Sequence, residues 1–125
     1  MAAHILVVED NLIAAEIARA ALEGRGHAVR HVPTGKLAIE AMSNGPCDLV
    51  LLDLLLPDID GDALVERLRH LPGGDRTPIL AFSAFSSRLD DLRRRHAPFD
   101  AYIAKPVEAN DLILAVERCL ARRAC

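Results

Sequence analysis

The sequence predicts a doubly wound α/β fold, a parallel sheet of five strands alternating with five helices in a three-layer sandwich, on three observations. Short apolar runs of strand length alternate along the whole chain with helix-length segments whose apolar residues return every three or four positions. Each segment between strands exceeds the roughly 12 residues that a parallel crossover needs, which argues against hairpins. The run Leu49-Val50-Leu51-Leu52 has no polar interruption, the mark of a strand covered on both faces. At 125 residues the chain fits one core, and the expectation is one domain over 1–125 with no repeat, linker or output domain.

The elements follow in order. His4 to Val8 is an apolar run that stops at Glu9-Asp10, as a buried parallel strand does at a sheet edge. Asn11 is placed to cap a helix from Leu12, whose apolar positions Ile13, Ile17, Ala18, Ala21 and Leu22 recur at helical spacing before Gly24 and Gly26 stop it. A weaker strand spans Ala28 to Val32. Thr34 caps a second helix bearing Leu37, Ala38, Ala41 and Met42, broken by Asn44-Gly45-Pro46. The third strand, Leu49 to Leu52, ends on Asp53. A helix from about Asp62 carries Leu64, Val65 and Leu68 and ends at Pro72-Gly73-Gly74. Ile79 to Phe82 is the fourth strand, closing at Ser83, and a short, charged helix follows around Arg88 to Arg95. Ala101 to Ala104 runs as the fifth strand into Lys105-Pro106. The last helix, roughly Ala109 to Arg122, lines up Leu112, Ile113, Val116, Cys119 and Leu120.

Composition narrows the function. Hydrophobic residues at 51% and charged residues at 26% describe a chain that folds. Aromatics are 3%, so burial rests on Leu, Ile, Val and Ala. Fifteen Lys and Arg against eighteen Asp and Glu leave a net charge of −3, the wrong sign for a direct nucleic-acid binder. Cys47, Cys119 and Cys125 are odd in number and have no C-x-x-C spacing, so neither a disulfide framework nor a zinc ribbon is indicated. No apolar run approaches the roughly 18 residues of a membrane span, and Met1-Ala2-Ala3-His4 lacks a basic leader region. The expectation is a soluble cytoplasmic protein.

In an open α/β sheet the functional crevice lies beyond the carboxyl ends of the strands. Those positions hold Glu9 and Asp10, Asp53, Ser83 and Ala84, and Lys105. Carboxylates on neighbouring strands about 5 Å apart repel by roughly 3 kcal/mol at an effective dielectric near 20. A hard divalent cation such as Mg²⁺ is the natural complement, with Lys105 as a second, fixed positive charge.

Together these residues resemble the receiver domain of bacterial two-component response regulators, of the single-domain, chemotaxis-receiver-like kind. The resemblance covers essentially the whole chain. It rests on Glu9-Asp10, on Asp53 within Leu-Leu-Asp-Leu-Leu-Leu-Pro-Asp-Ile-Asp-Gly, on Ser83-Ala84, and on Tyr102-Ile103-Ala104-Lys105-Pro106. It implies a flavodoxin-like sheet of order 2-1-3-4-5. It implies that Asp53 takes a phosphoryl group from the phosphohistidine of a sensor histidine kinase or histidine phosphotransferase. Asp10 would be a direct Mg²⁺ ligand and Glu9 an outer one, with Asp53 and the backbone carbonyl of Leu55 completing the protein's share. Lys105 would pair with phosphoryl oxygens, Ser83 would donate to them, and Tyr102 would be the switching aromatic. A downstream protein target would then bind the face of helix 4, strand 5 and helix 5. Such a domain catalyses only its own phosphorylation and dephosphorylation and is not otherwise an enzyme.

Singly, each residue has a plainer use: Asp at a strand end caps or turns, Tyr102 packs at a core edge, and Lys105 is a loop lysine. Their joint placement favours chemistry. The run Arg93-Arg94-Arg95 reads as a solvated face, and His4, His27, His31, His70 and His96 have no metal-binding spacing. Leu55 is apolar where many relatives carry a polar side chain, so water is expected to be poorly activated and autodephosphorylation slow. Bulky Phe85 is expected to narrow access for small phosphodonors. One rival is a haloacid-dehalogenase-like phosphatase, since Asp58-Ile59-Asp60-Gly61 has that family's D-x-D-G pattern, though no strand leads into it. Others are a flavodoxin-like electron carrier, for which Glu-Asp-Asn is a poor flavin-phosphate loop, and a pseudo-receiver acting without phosphorylation.

Overall fold

The structure is a computed structural model and describes residues 2–45 and 47–124. Met1, the helix breaker Pro46 and Cys125 lie outside the described residues. The strands are β1 (His4–Val8), β2 (Ala28–Val32), β3 (Leu49–Asp53), β4 (Ile79–Ser83) and β5 (Ala101–Ala104). The helices are α1 (Leu12–Glu23), α2 (Gly35–Asn44), α3 (Gly61–Arg69), α4 (Ser86–Arg94) and α5 (Ala109–Ala124). All pairings are parallel and the order is β2-β1-β3-β4-β5, the flavodoxin-like arrangement. β3 and β4 are buried at every residue, as continuous apolar runs between helix layers must be.

Strand alternation divides the core. Ile5, Val7, Leu49 and Leu51 face one way, onto Ala18 and Leu22 of α1 and Leu112, Val116, Cys119 and Leu120 of α5. Leu6, Val8, Val50 and Leu52 face the other, onto Ala38 and Ala41 of α2 and Leu64, Val65 and Leu68 of α3. Under α4, Leu89 and Leu92 close on Leu54 and Ala81. The central strands β1, β3 and β4 are thus covered on both faces by the period-two geometry of their own side chains, while β2 and β5 lie at the edges.

Two elements differ from the sequence expectation. α4 starts at Ser86, two residues before Arg88. In α1, Ile13 and Ile17 are 74% and 58% exposed, whereas Ala15, Ala18 and Leu22 are buried. At 3.6 residues per turn, Ile13 and Ile17 each lie about 160° round the helix from Ala15. The helix presents its smaller residues to the sheet, and its β-branched ones face solvent.

One side chain holds the end of the sheet opposite the acidic edge. Arg69, at the close of α3, donates to the carbonyls of Pro98 (3.1 and 2.7 Å), Gly74 (2.9 Å) and Thr77 (2.6 Å), and to Asp100 (2.9 Å). Asp100 in turn accepts from the Ile79 N–H at 2.8 Å. The guanidinium fork therefore joins the loops leading into β4 and β5. Arg69→Met keeps the stem but leaves three carbonyls without this donor, and is expected to cost about 2–4 kcal/mol in urea unfolding.

Candidate functional site

β1 and β3 are adjacent, so the residues that end them meet. Beyond Val8 the chain holds the line of the sheet for one residue, the Glu9 N–H bonding to the Val32 carbonyl at 3.0 Å. This leaves Glu9 only 3% exposed, while Asp10, next in the chain, is exposed. Asn11 then caps α1, its side chain accepting from the Ala14 N–H at 3.0 Å. Asp53, the last residue of β3, is registered against Phe82 and is 6% exposed. Carboxylate oxygens of Glu9, Asp10 and Asp53 lie within 4.8 Å of one another.

Lys105 supplies the counter-charge. Its backbone N–H bonds to the Ser83 carbonyl at 2.8 Å, extending the β4–β5 pairing. Its ammonium sits 4.8 Å from the centre of the Phe82 ring and reaches past the end of β4 to two acids. It donates a short hydrogen bond to Glu9 Oε1 and another to Asp53 Oδ2 at 3.2 Å. Burial and the facing Asp53 carboxylate push Glu9 up to about 7, against the opposing pull of Lys105. For Lys105, burial works to lower the pKa, but the bond to Glu9 and the charges of both acids outweigh it and raise it.

These residues fit a hard divalent cation. Glu9 Oε2 is buried and has no hydrogen-bond partner, an orphaned acceptor beside two further carboxylates. An all-oxygen donor set with an exposed Asp10 suits Mg²⁺, which keeps several waters. Leu55 lies just past Asp53, its N–H bonded to Asp53 Oδ1 at 3.0 Å.

The remaining expected residues are placed as follows. Ser83 is 1% exposed, and its Oγ accepts from the Phe85 N–H at 3.0 Å. Tyr102 stands further along, on β5, its hydroxyl donating to the Ala97 carbonyl at 3.2 Å. Its ring meets Phe99 edge-on at 5.8 Å and lies under the Arg93 guanidinium at 5.0 Å. Leu55 and Phe85 are 48% and 55% exposed, in the loops after β3 and β4.

Sequence reasoning missed two residues that support the site. His31 bonds through Nε2 to the Glu9 carbonyl at 2.6 Å, and since a carbonyl only accepts, that nitrogen carries the proton. Nothing in the sequence joins His31 to a residue 22 positions earlier. Asp58, set aside as part of a D-x-D-G pattern, accepts from the Gly35 N–H at 2.9 Å and the Lys36 N–H at 3.0 Å. Those donors, Gly35 first, hold its carboxyl below the ordinary value.

A partly buried acidic cluster at the carboxyl edge of a 2-1-3-4-5 parallel sheet, with a lysine spanning it, is the arrangement of a receiver-type signalling domain. Residues 5–117 match the family described as response regulator receiver domain, and the chain belongs to that family as a single domain covering nearly its whole length. An uncharacterized 14.6 kDa protein of Leptolyngbya boryana is 33% identical over 118 residues, covering 94% of this chain and 90% of that one. The crystal structure of a putative response regulator from Chloroflexus aurantiacus superposes with a TM-score of 0.89 at 32% identity, over 98% of this chain and 100% of that one. The receiver domain of the sensor histidine kinase PA1611 from Pseudomonas aeruginosa gives 0.88 at 29% identity, over 97% and 99%, and holds a magnesium ion in its active-site cleft. The chain spans about half the length of several other curated relatives. Among the described residues, no helix is long and apolar enough to cross a membrane.

The raised Glu9 pKa has a stability consequence. An acid whose folded-state value exceeds its unfolded one stabilises the fold below the unfolded value, and that contribution is lost as pH rises through the folded one. For Glu9 the window runs from 4.5 to about 7. Without metal, wild type is expected to lose on the order of 3 kcal/mol relative to Glu9→Gln between these limits. Urea denaturation at several pH values checks it; a difference that does not change with pH would contradict the assignment.

Proposed function

We propose that the chain is a phosphorelay receiver in which Asp53 accepts a phosphoryl group from a phosphohistidine of a sensor histidine kinase or histidine phosphotransferase. The observation that carries this is the Lys105 ammonium bonded to both Glu9 and Asp53 amid three clustered carboxylates. An Asp53 carboxylate oxygen attacks the phosphorus as the P–N bond breaks, and the imidazole nitrogen leaves with the bonding pair. Little covalent machinery is needed, because phosphoryl transfer is mainly positioning and charge neutralisation. Asp10, Asp53 and the Leu55 carbonyl would hold Mg²⁺ directly and Glu9 through water. When bound, the ion neutralises phosphoryl oxygens that the carboxylates would otherwise repel.

The chain's own groups do the rest. Lys105 exchanges part of its contact with Asp53 for a phosphoryl oxygen. The Ser83 hydroxyl, which accepts from Phe85 and donates to no protein group among the described residues, donates a hydrogen bond to another. The product carries about one more negative charge than Asp53 alone and new acceptors, so the Ser83 and Lys105 loops are the ones drawn inward. Tyr102, on the strand that delivers Lys105, is the aromatic placed to register that shift. Its surroundings, Arg93, Phe99 and the Ala97 carbonyl, support the α4-β5-α5 face as the surface read by a protein target. The domain promotes its own modification and turns over no separate substrate, consistent with a cytoplasmic signalling role.

Incubation with Mg²⁺ and acetyl phosphate, or with a phosphorylated histidine phosphotransferase, should add one phosphoryl group by intact mass, and Asp53→Asn should add none. An adduct that survives Asp53→Asn overturns the acceptor assignment. No adduct from either donor replaces this reading with a phosphorylation-independent pseudo-receiver. With Leu55 unable to orient water, the adduct should outlast seconds in Mg²⁺, and Leu55→Asn should shorten its lifetime severalfold.

A further inference from the structure

We infer that Asp58 is a positioning residue for the metal centre, holding the β3–α3 loop, and with it the Leu55 carbonyl, against the N-terminus of α2. The inference rests on the receiver reading of the site.

An α-helix begins with four N–H groups that have no partner within it. In α2 the regular ladder starts with Ala38 N–H on the Thr34 carbonyl at 3.1 Å, and of the groups before it Leu37 N–H is met locally, by Thr34 Oγ1 at 3.2 Å. Two more, Gly35 and Lys36, are met by one carboxylate 22 or more residues later in the chain. Asp58 therefore completes the cap of a helix to which it does not belong, with its charge at the positive end of the helix dipole.

Asp58 is the tip of a loop tied at every other point. At its start the Leu55 N–H bonds to Asp53 Oδ1. At its neck the Gly61 N–H bonds to the Leu54 carbonyl at 3.2 Å, with Leu55 bridged to Asp60. Beside the tip, Ile59 packs so closely on α2 that a Cβ at Gly35 would overlap its Cγ2. The contact leaves room for glycine alone at the first residue of α2. Without Asp58 the loop would be anchored at its neck and by one apolar contact, and its exposed tip would be free to turn.

Leu55 is bridged to Asp60, two residues past Asp58, so a tip loosened from α2 strains that bridge and with it the direction of the Leu55 carbonyl. A carbonyl ligand to Mg²⁺ needs a fixed direction, because the ion holds its ligands near octahedral positions. Groups that orient a ligand without touching the ion commonly change metal affinity by tenfold or more. This gives the acidic loop a use distinct from that of the phosphatase-like pattern it contains.

The test is a calorimetric Mg²⁺ titration of the whole chain as wild type, Asp58→Ala, Asp58→Asn, Thr34→Ala and Asp10→Asn. Asp58→Ala should weaken Mg²⁺ binding roughly tenfold, and Asp58→Asn, which keeps one acceptor, by less. Thr34→Ala loosens the same helix end from within and should leave the affinity within about twofold, although it costs comparable stability. Equal losses for Thr34→Ala and Asp58→Ala, or none for Asp58→Ala when Asp10→Asn abolishes binding, would overturn the inference alone. Unchanged binding in Asp10→Asn would overturn the metal-site reading and this inference with it.

Discussion

Everything at the functional edge follows from an imbalance of charge. Three carboxylates converge there and one ammonium faces them. Close carboxylates in a partly buried site repel by several kcal/mol in total, and a single lysine cannot be near all of them at full strength. The site relieves the excess by keeping Glu9 partly protonated, its pKa raised by burial and by Asp53. A proton on Glu9 is a weak substitute for a divalent cation at the same place. The acidic edge is therefore a site short of positive charge, a deficit that a divalent cation would fill.

The fold is arranged to sustain that shortage. β5 is separated from β3 by β4, so Lys105 can meet Asp53 and Glu9 only by lying across the end of β4. Phe82 gives the crossing ammonium an aromatic face, and the Ser83 carbonyl fixes the backbone from which it starts. Behind the edge, Val8, Leu52, Leu54, Leu80 and Ala81 are fully buried. Their packing offsets the electrostatic cost, which no interaction within the site could do. His31 bonds to the Glu9 carbonyl, and Asp58 bonds to the first N–H groups of α2, so both loops that carry the acids have a contact outside the site.

What could be read from the sequence was whatever chain-local rules decide. Strands β1, β3 and β4 were legible because apolar runs end abruptly at polar residues, and those same polar residues form the site. Asn11 and Thr34 were legible as caps because the backbone N–H groups they accept from lie three residues ahead. The burial of α1 was misjudged because periodicity shows that a helix has faces without showing which one meets the sheet, and alanine is as buriable as isoleucine. Asp58, His31 and Arg69 escaped notice for a different reason: their partners are 22 or more residues away for the first two, and for Arg69 they are backbone carbonyls in two separate loops and the Asp100 carboxylate. Only the fold brings those groups together. The strand order came from family resemblance, since nothing in strand composition orders five parallel strands.

The same geometry indicates how a change at Asp53 would travel. Phe85, at the N-cap of α4, offers no side-chain cap, so the helix start is held at that point by the bond from the Phe85 N–H to Ser83 Oγ. Ser83 is also bound through its carbonyl to Lys105. Any new acceptor that draws the Ser83 hydroxyl and the Lys105 ammonium toward Asp53 pulls on the first residues of α4 and on the end of β5 at once. Arg93, on the last turn of α4, lies over Tyr102, on β5. The two elements displaced at the site end are thus coupled again at the far end, through a ring whose hydroxyl is tied to the loop between them. α4 is short, charged and anchored mainly by Leu89 and Leu92, so two side chains carry most of the packing that resists that pull. A local rearrangement of charge at the sheet edge would therefore have a mechanical outlet on one face of the molecule, where Arg93 lies over Tyr102.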